Sequence, residues 1–343
     1  MDTYDYVIIG AGSAGSVLAN RLSEDPDTTI CVLEAGPPDW NPYIHIPAGF
    51  LKTITDPNVN WLYETEPSEG TAGRSIQQPR GKTLGGSSSI NGHIYTRGNR
   101  MDYDGWAQRG NLGWGYADIL PYFRRTETRE GDADLTFRGS EGPLKVTDID
   151  WSHPLTEAFI EGAVSIGIPR AKDYNGAKQE GVSYSQRTIA NGRRMSAARA
   201  FLRPAMKRPN VHVITHAHAT KIIIENKRAV GVAYNKGGAR GTPKKVMAAR
   251  EVILSGGTMN SPQLLQISGI GDPEFLRSIG VEVVHALPGV GENLRDHYAP
   301  RFTARVKNVD SINERASGLR LLGEIAKWGL TRKGILSLSP TLV

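Results

Sequence analysis

Apolar residues in this chain fall in short blocks separated by glycine and polar punctuation. Tyr6-Val7-Ile8-Ile9 is a β-branched apolar run that predicts a buried parallel strand. Val17, Leu18 and Leu22 then recur at helical spacing, and Ile30-Cys31-Val32-Leu33 predicts a second buried strand. Residues 116–125 and 154–166 read as helices, with a strand opening at Leu144. Residues 211–235 alternate as short strands split by Asn226-Lys227-Arg228, which predicts a β-meander pairing 211–215 with 221–224. Glu251-Val252-Ile253-Leu254 runs into Ser255-Gly256-Gly257 and reads as a strand rejoining the parallel sheet. Residues 36–76, rich in Pro, Trp and Tyr, read as a long excursion, and residues 318–330 as an amphipathic helix.

Between the first strand and the first helix lies Gly10-Ala11-Gly12-Ser13-Ala14-Gly15. In that context Gly10 permits a tight turn, Gly12 lets a pyrophosphate approach the backbone, and Gly15 allows close helix–strand packing. The helix N-terminus adds free N–H donors and a positive dipole end. Glu34 ends the second strand, where a carboxylate binds both hydroxyls of an adenosine ribose and repels a 2′-phosphate, which disfavours NADP. This fingerprint alone does not separate FAD from NAD. Gly81-Lys82-Thr83-Leu84-Gly85-Gly86-Ser87-Ser88-Ser89-Ile90-Asn91 does, because so many glycines and small hydroxyls can lie flat against a flavin and its ribityl chain.

Four stretches make the chain resemble the glucose–methanol–choline oxidoreductase family, most like its bacterial choline dehydrogenase branch. They are residues 4–15 continuing to Leu33-Glu34-Ala35-Gly36; residues 81–91 continuing through Tyr95-Thr96-Arg97-Gly98 to Asp104; residues 257–271; and Pro288-Gly289-Val290-Gly291-Glu292-Asn293-Leu294-Arg295-Asp296-His297. The resemblance implies an α/β fold: an FAD-binding Rossmann-like domain with parallel sheet and β-meander, and an incomplete α+β substrate domain with antiparallel sheet. The expected division is 1–143 with 210–300 for the first and 144–209 with 301–343 for the second.

The resemblance further implies FAD contacts at Gly10, Gly12, Ser13, Ala14, Gly15, Glu34, Ala35, Trp61, Gly81, Lys82, Thr83, Leu84, Gly86, Ser87, Asn91, Gly92, His93, Ile94 and Ala219. Some relatives join the flavin to a histidine where this chain has Ile90, which has no nucleophilic atom, so non-covalent FAD is expected. The implied reaction is oxidation of a primary alcohol to an aldehyde by hydride transfer to flavin N5. Choline or a similar small polar alcohol is the leading substrate, with oxygen or a quinone-like carrier as electron acceptor. A flavin-containing lyase of the same fold and a non-catalytic FAD-binding fragment or subunit are the alternatives.

In the family the histidine base lies later than the position of Val343, so no catalytic residue is assigned here. The sequence reads as an N-terminal fragment, or one chain of a two-chain enzyme, inactive alone. Of the eight histidines, His93 sits inside the flavin-contact run, and His297 beside Asp296 belongs to the cofactor-domain motif rather than to a catalytic dyad. His212, His216 and His218, at even spacing, read as one surface strand face; with no Cys or carboxylate alongside, no metal site is expected.

Composition changes little in this picture. With 343 residues, 39% of them hydrophobic, the chain can bury a large core in two domains. The single cysteine, Cys31, excludes an intrachain disulfide and fits a cytoplasmic location. No apolar leader or transmembrane run is read. The net charge of +6 concentrates locally in residues 193–208, where Ser196 reads as an N-cap, but no aromatic interleaving accompanies it and nucleic acid is discounted.

Overall fold

The computed structural model describes residues 2–297, 299–300 and 302–343. Contacts group the chain into two units. The first comprises Met1–Trp40, Thr53–Ile90 and Ser196–Thr303, and the second Asn41–Lys52, Asn91–Met195 and Ala304–Val343. Residues 91–143 thus go with the second unit and 196–209 with the first, a different division from the one expected.

The first unit is built on β1 (Thr3–Ile9), α1 (Ser13–Leu22) and β2 (Ile30–Leu33), followed much later by β3 (Val211–Ile214), β4 (Ala217–Glu225), β5 (Arg228–Lys236), β6 (Thr242–Leu254) and α2 (Gly257–Ile267). The six strands form one sheet in the order β4-β5-β6-β1-β2-β3. β6 joins two kinds of pairing within one strand: Thr242 to Met247 run antiparallel to β5, and Glu251 to Leu254 run parallel to β1. The strand 251–254 therefore does rejoin the parallel sheet.

One expectation is corrected. β3 pairs parallel with β2, from Ile30↔Val211 to Leu33↔Ile214, at the opposite edge from β4. Strand alternation cannot reveal this, because His216 takes a left-handed turn (φ 52°) that carries the chain from one edge to the other. His216 donates its N–H to Gly36 O at 2.9 Å and Ala217 to Glu34 O at 2.8 Å, so β4 starts beside the end of β2. The three histidines accordingly share no face: His212 lies 5.3 Å from the Tyr4 ring, His216 is in the turn, and His218 lies 5.8 Å from Trp61.

Period-two alternation splits the core into two layers. Val7, Ile9, Cys31 and Leu33 pack with Val232, Tyr234 and Val246 of the meander and with Leu264 of α2. Ile8, Ile30 and Val32 point the other way, onto Ala19 of α1 with Ala198 and Leu202. The basic stretch therefore contributes a buried apolar face; Ser196 Oγ caps it by accepting the Arg199 N–H at 3.2 Å.

The second unit holds the helices Arg100–Gln108, Tyr116–Thr126, Pro154–Ser165 and Gly318–Thr331. Its strands are short pairs, Glu127–Arg129 with Leu144–Val146 in parallel and Ile189–Ala190 with Arg193–Arg194 antiparallel. Much of its interior is polar. Glu127, fully buried, meets Arg138 Nε at 2.7 Å and Arg97 at 2.8 Å, and Arg138 reaches Asp173 at 2.8 Å. Among the described residues no helix is long and apolar enough to cross a membrane.

Candidate nucleotide-cofactor site

The first unit contains a cavity of about 610 Å³ at the ends of β1, β2 and β6. Two strand–glycine–helix turns open onto it. After β1, Gly10 turns with φ 94°, and a β-carbon on it would meet Ser255 O at 2.6 Å. A β-carbon on Gly15 would stand 2.0 Å from Gly10 O, so α1 is pressed against its own turn. Gly12 differs: its β-carbon would find nothing nearer than Gly86 at 3.9 Å, and it faces the cavity with Ser13 and Ala14.

The second turn follows β6, where Ser255, Gly256 and Gly257 lead into α2. Neither α1 nor α2 carries a side-chain cap or an acidic residue in its first turn. Two helix N-termini with unmet N–H donors and positive dipole ends therefore border one cavity, an arrangement suited to a pyrophosphate.

Gly81 to Ser89 are packed against the first turn. Gly85 donates its N–H to Ala11 O at 2.8 Å, and Gly86, at φ 53°, lies so near Gly12 that a β-carbon would stand 2.8 Å from its α-carbon. Gly36 has no room either, since Lys82 O would lie 1.9 Å from its β-carbon. Gly81, Gly86 and Ser87 line the cavity. Thr83 and Leu84 turn inward: Thr83 Oγ1 donates to Pro37 O at 2.9 Å, and Leu84 joins the Ile8 layer. The Lys82 ammonium lies 4.7 Å over the Trp61 ring.

Glu34 lines the cavity but is 5% exposed. Its two oxygens accept the backbone N–H groups of Ala11 at 3.0 Å and Gly36 at 2.9 Å. Burial pushes its carboxyl up to about 7, against the lowering effect of those two N–H groups and of Lys82. The carboxylate thus braces both flanking turns, a role that spacing did not suggest, and each oxygen keeps a second lone pair for a ribose hydroxyl.

Ala35, Trp61 and Ala219 also line the cavity. Trp61 is stacked on Tyr63 (5.7 Å, 7° between planes), whose hydroxyl bonds Asn260 Oδ1. Asn91, Gly92, His93 and Ile94 belong to the second unit. There Asn91 O and Oδ1 both accept Arg194 Nη1 at 2.8 Å. His93 is fully buried at φ 65°, edge-on to Phe50, and burial followed by the nearby Arg194 holds its imidazole well below its ordinary range. Ile90 is buried in the first unit. Asp296 accepts the backbone N–H of His297 at 2.8 Å, a contact that leaves the imidazole out.

Several lining residues were not anticipated: Arg80, Ala217, His218, and on the second turn and α2, Ser255 to Ser261, Gln263, Leu264 and Ile267. The signal was present, since residues 252–267 repeat the strand–glycine–helix grammar of residues 6–22. Among the described residues no cluster of His, Cys, Asp or Glu is arranged to hold a metal.

Comparison with known proteins places this geometry. Residues 4–299 match the GMC oxidoreductase family. The chain is 46% identical over 336 residues to an oxygen-dependent choline dehydrogenase of Staphylococcus aureus (strain MSSA476), covering 97% of this chain and 58% of that protein. For the Staphylococcus xylosus oxygen-dependent choline dehydrogenase the figures are 46% over 340 residues, 97% and 60%. Among solved structures, formate oxidase superposes with a TM-score of 0.91 at 27% identity, over 98% of this chain and 60% of that one. Pyridoxine 4-oxidase from Mesorbium loti gives 0.78 at 35%, over 83% and 55%. The chain thus spans about three-fifths of the length of the curated relatives it matches.

Proposed function

We propose, because this chain belongs to the GMC oxidoreductase family, that it is the cofactor-holding part of an enzyme that oxidises a primary alcohol to an aldehyde. Choline or a similar small polar alcohol is the substrate that the names of the relatives support, and oxygen is the electron acceptor. FAD, when bound, supplies an isoalloxazine that accepts hydride from the alcohol carbon.

The observation that carries the reading is the pair of uncapped helix N-termini facing one cavity beside Glu34. In this reading Gly12, Ser13 and Ala14 hold the pyrophosphate, Glu34 and Ala35 the ribose, and Trp61 and Ala219 the adenine side. Gly81, Gly86 and Ser87 carry the cofactor onward. Binding is non-covalent, Ile90 offering no nucleophile. The first unit is the FAD-binding part, the second a portion of the substrate side. The lone cysteine supports a cytoplasmic location.

The base that takes the hydroxyl proton is assigned to no residue here, so the 343-residue chain is expected to bind FAD without turning over alcohol. Purification tests the first half: the protein should emerge yellow or take up added FAD, and acid precipitation should release all the flavin. Protein that is folded, colourless and indifferent to FAD overturns the reading. Anaerobic choline added to the intact enzyme tests the chemistry. Bleaching of the flavin's visible absorbance supports an oxidoreductase, and a flavin that stays oxidised with every alcohol supports a lyase on the same fold.

A further inference from the structure

Helix Gly318–Thr331 of the second unit presents its apolar side outward. Leu321, Glu324 and Trp328 form the half-buried face: Trp328 Nε1 donates to Gly192 O at 2.9 Å, and Glu324 Oε2 accepts the Ile335 N–H at 3.3 Å. At 100° per residue the remaining apolar positions, with Leu319, Leu322, Ile325 and Leu330 as the large ones, fill a continuous arc of roughly 160° without one polar side chain. These four are 86, 61, 48 and 87% exposed. Scattered exposed leucines need no explanation, but a whole helix face does.

Three occupants could cover it: a second copy, a lipid surface or further polypeptide. The arc is about 21 Å long and about 10 Å wide, roughly 200 Å², far below the ~800 Å² per partner of a stable dimer. A second copy docking through this face alone is therefore disfavoured. The curated relative aligns over 97% of this chain, too much for the 14-residue helix to be left out, yet only 58% of that relative is matched. Formate oxidase shares the fold over 98% of this chain with two-fifths of its own length to spare. Proteins that carry this helix thus carry further polypeptide as well.

We propose that the outward face of helix Gly318–Thr331 is the docking surface for a polypeptide equivalent to the two-fifths of the relatives that this chain does not span. The inference rests on the family reading above, because it takes its occupant from the relatives. That polypeptide buries Leu319, Leu322, Ile325 and Leu330, whether it is continuous with this chain or separate.

Thiol labelling reads the face directly, since Cys31 is fully buried, its thiol pushed up to about 12, and so silent to maleimide. Leu322→Cys is compared in the 343-residue chain and in the same chain extended by the unmatched part of the S. aureus relative. In the chain alone we expect rapid labelling at every protein concentration, with or without phosphatidylglycerol vesicles. In the extended chain it should slow at least about tenfold. Where the extended chain does not fold, a cysteine at the aligned position of the full-length relative, freed of other reactive thiols, decides in its place. Rapid labelling there or in the folded extension overturns the proposal. Slowing of the chain alone by concentration or by vesicles also overturns it, in favour of a second copy or a lipid surface. FAD uptake is followed on the same samples: protection without FAD uptake keeps the docking and sinks the cofactor reading, and FAD uptake without protection does the reverse.

Discussion

Gly12 and Gly86 touch back to back: a β-carbon on Gly86 would stand 2.8 Å from the Gly12 α-carbon, whereas one on Gly12 would meet nothing within 3.9 Å. The asymmetry separates fold from binding. Gly12 has an ordinary backbone (φ −73°), so Gly12→Ala should leave unfolding within about 0.5 kcal/mol of wild type. Its methyl group projects into the cavity, where the proposed site holds the pyrophosphate, so FAD affinity should fall at least about tenfold. Gly86→Ala combines φ 53° with the clash and should lose roughly 2–3 kcal/mol of stability. Thermal melts beside FAD titrations check both; a Gly12→Ala protein that binds FAD normally would remove Gly12 from the site.

Glu34 makes stability depend on pH in an unusual direction for a carboxylate. Its folded value is raised to about 7 from an ordinary 4.5, so the folded state holds the proton that the unfolded state has released. Its contribution is complete below pH 4.5 and lost as pH rises through 7, about 3 kcal/mol in all. Glu34→Ala leaves the Ala11 and Gly36 N–H groups unmet and should be less stable at every pH. The gap between wild type and variant should narrow from pH 5 to pH 8, as seen in denaturant midpoints. The same variant should lose on the order of 2–4 kcal/mol of FAD affinity. A gap that does not change with pH would mean that Glu34 is ionised throughout.

What the sequence disclosed was local. Tyr6 to Gly15 and Ile30 to Glu34 form their strand–turn–helix–strand unit from neighbouring residues, and the turn residues state their own geometry. The parallel pairing of Glu251 to Leu254 with β1 was legible because an apolar run before Ser255-Gly256-Gly257 has few other uses. The place of Val211 to Ile214 was not, since four residues fit either sheet edge and only the turn at His216 decides. Glu34 as a brace was hidden for a related reason: its partners Ala11 and Gly36 act through backbone N–H groups, which every sequence has. The polar interior around Glu127 was missed because isolated Arg and Glu residues read as surface until three elements bring them together.

That interior yields its own prediction. Glu127 is fully buried against Arg138 and Arg97 and also accepts the Gly139 N–H at 3.0 Å. Burial alone would raise its carboxyl, but the Arg138 hydrogen bonds, Arg97 and Gly139 outweigh it and hold the value below the ordinary range. Arg138 likewise overcomes the burial of Asp173 and lowers it. Both contribute stability that is present above the unfolded carboxylate values and lost as pH falls through the folded ones. Glu127→Gln leaves Arg97 buried without the counter-charge of Glu127 and leaves Arg138 with Asp173 alone, and should cost about 3–5 kcal/mol. Urea unfolding at neutral pH checks it; a loss under about 1 kcal/mol would show that water reaches the arginines.

Trp61 offers a test of the proposal that this part of the cavity takes the adenine. Its ring lies parallel to Tyr63 at 5.7 Å, 5.8 Å from His218, and under the Lys82 ammonium at 4.7 Å. Burial and, after it, Lys82 lower the His218 value, so near neutral pH that imidazole adds no second cation beside the indole. A flat, pinned indole lining the cavity is suited to an aromatic base, worth about 1–3 kcal/mol per stacked base. Trp61→Ala should therefore weaken FAD binding roughly 10- to 100-fold, and Trp61→Phe, which keeps an aromatic face, should restore most of it. ADP titrated against both variants locates the loss: an equal fall for ADP and FAD puts Trp61 at the adenine. A fall for FAD alone would move it to the flavin end and reverse the direction in which the cofactor is laid across the cavity.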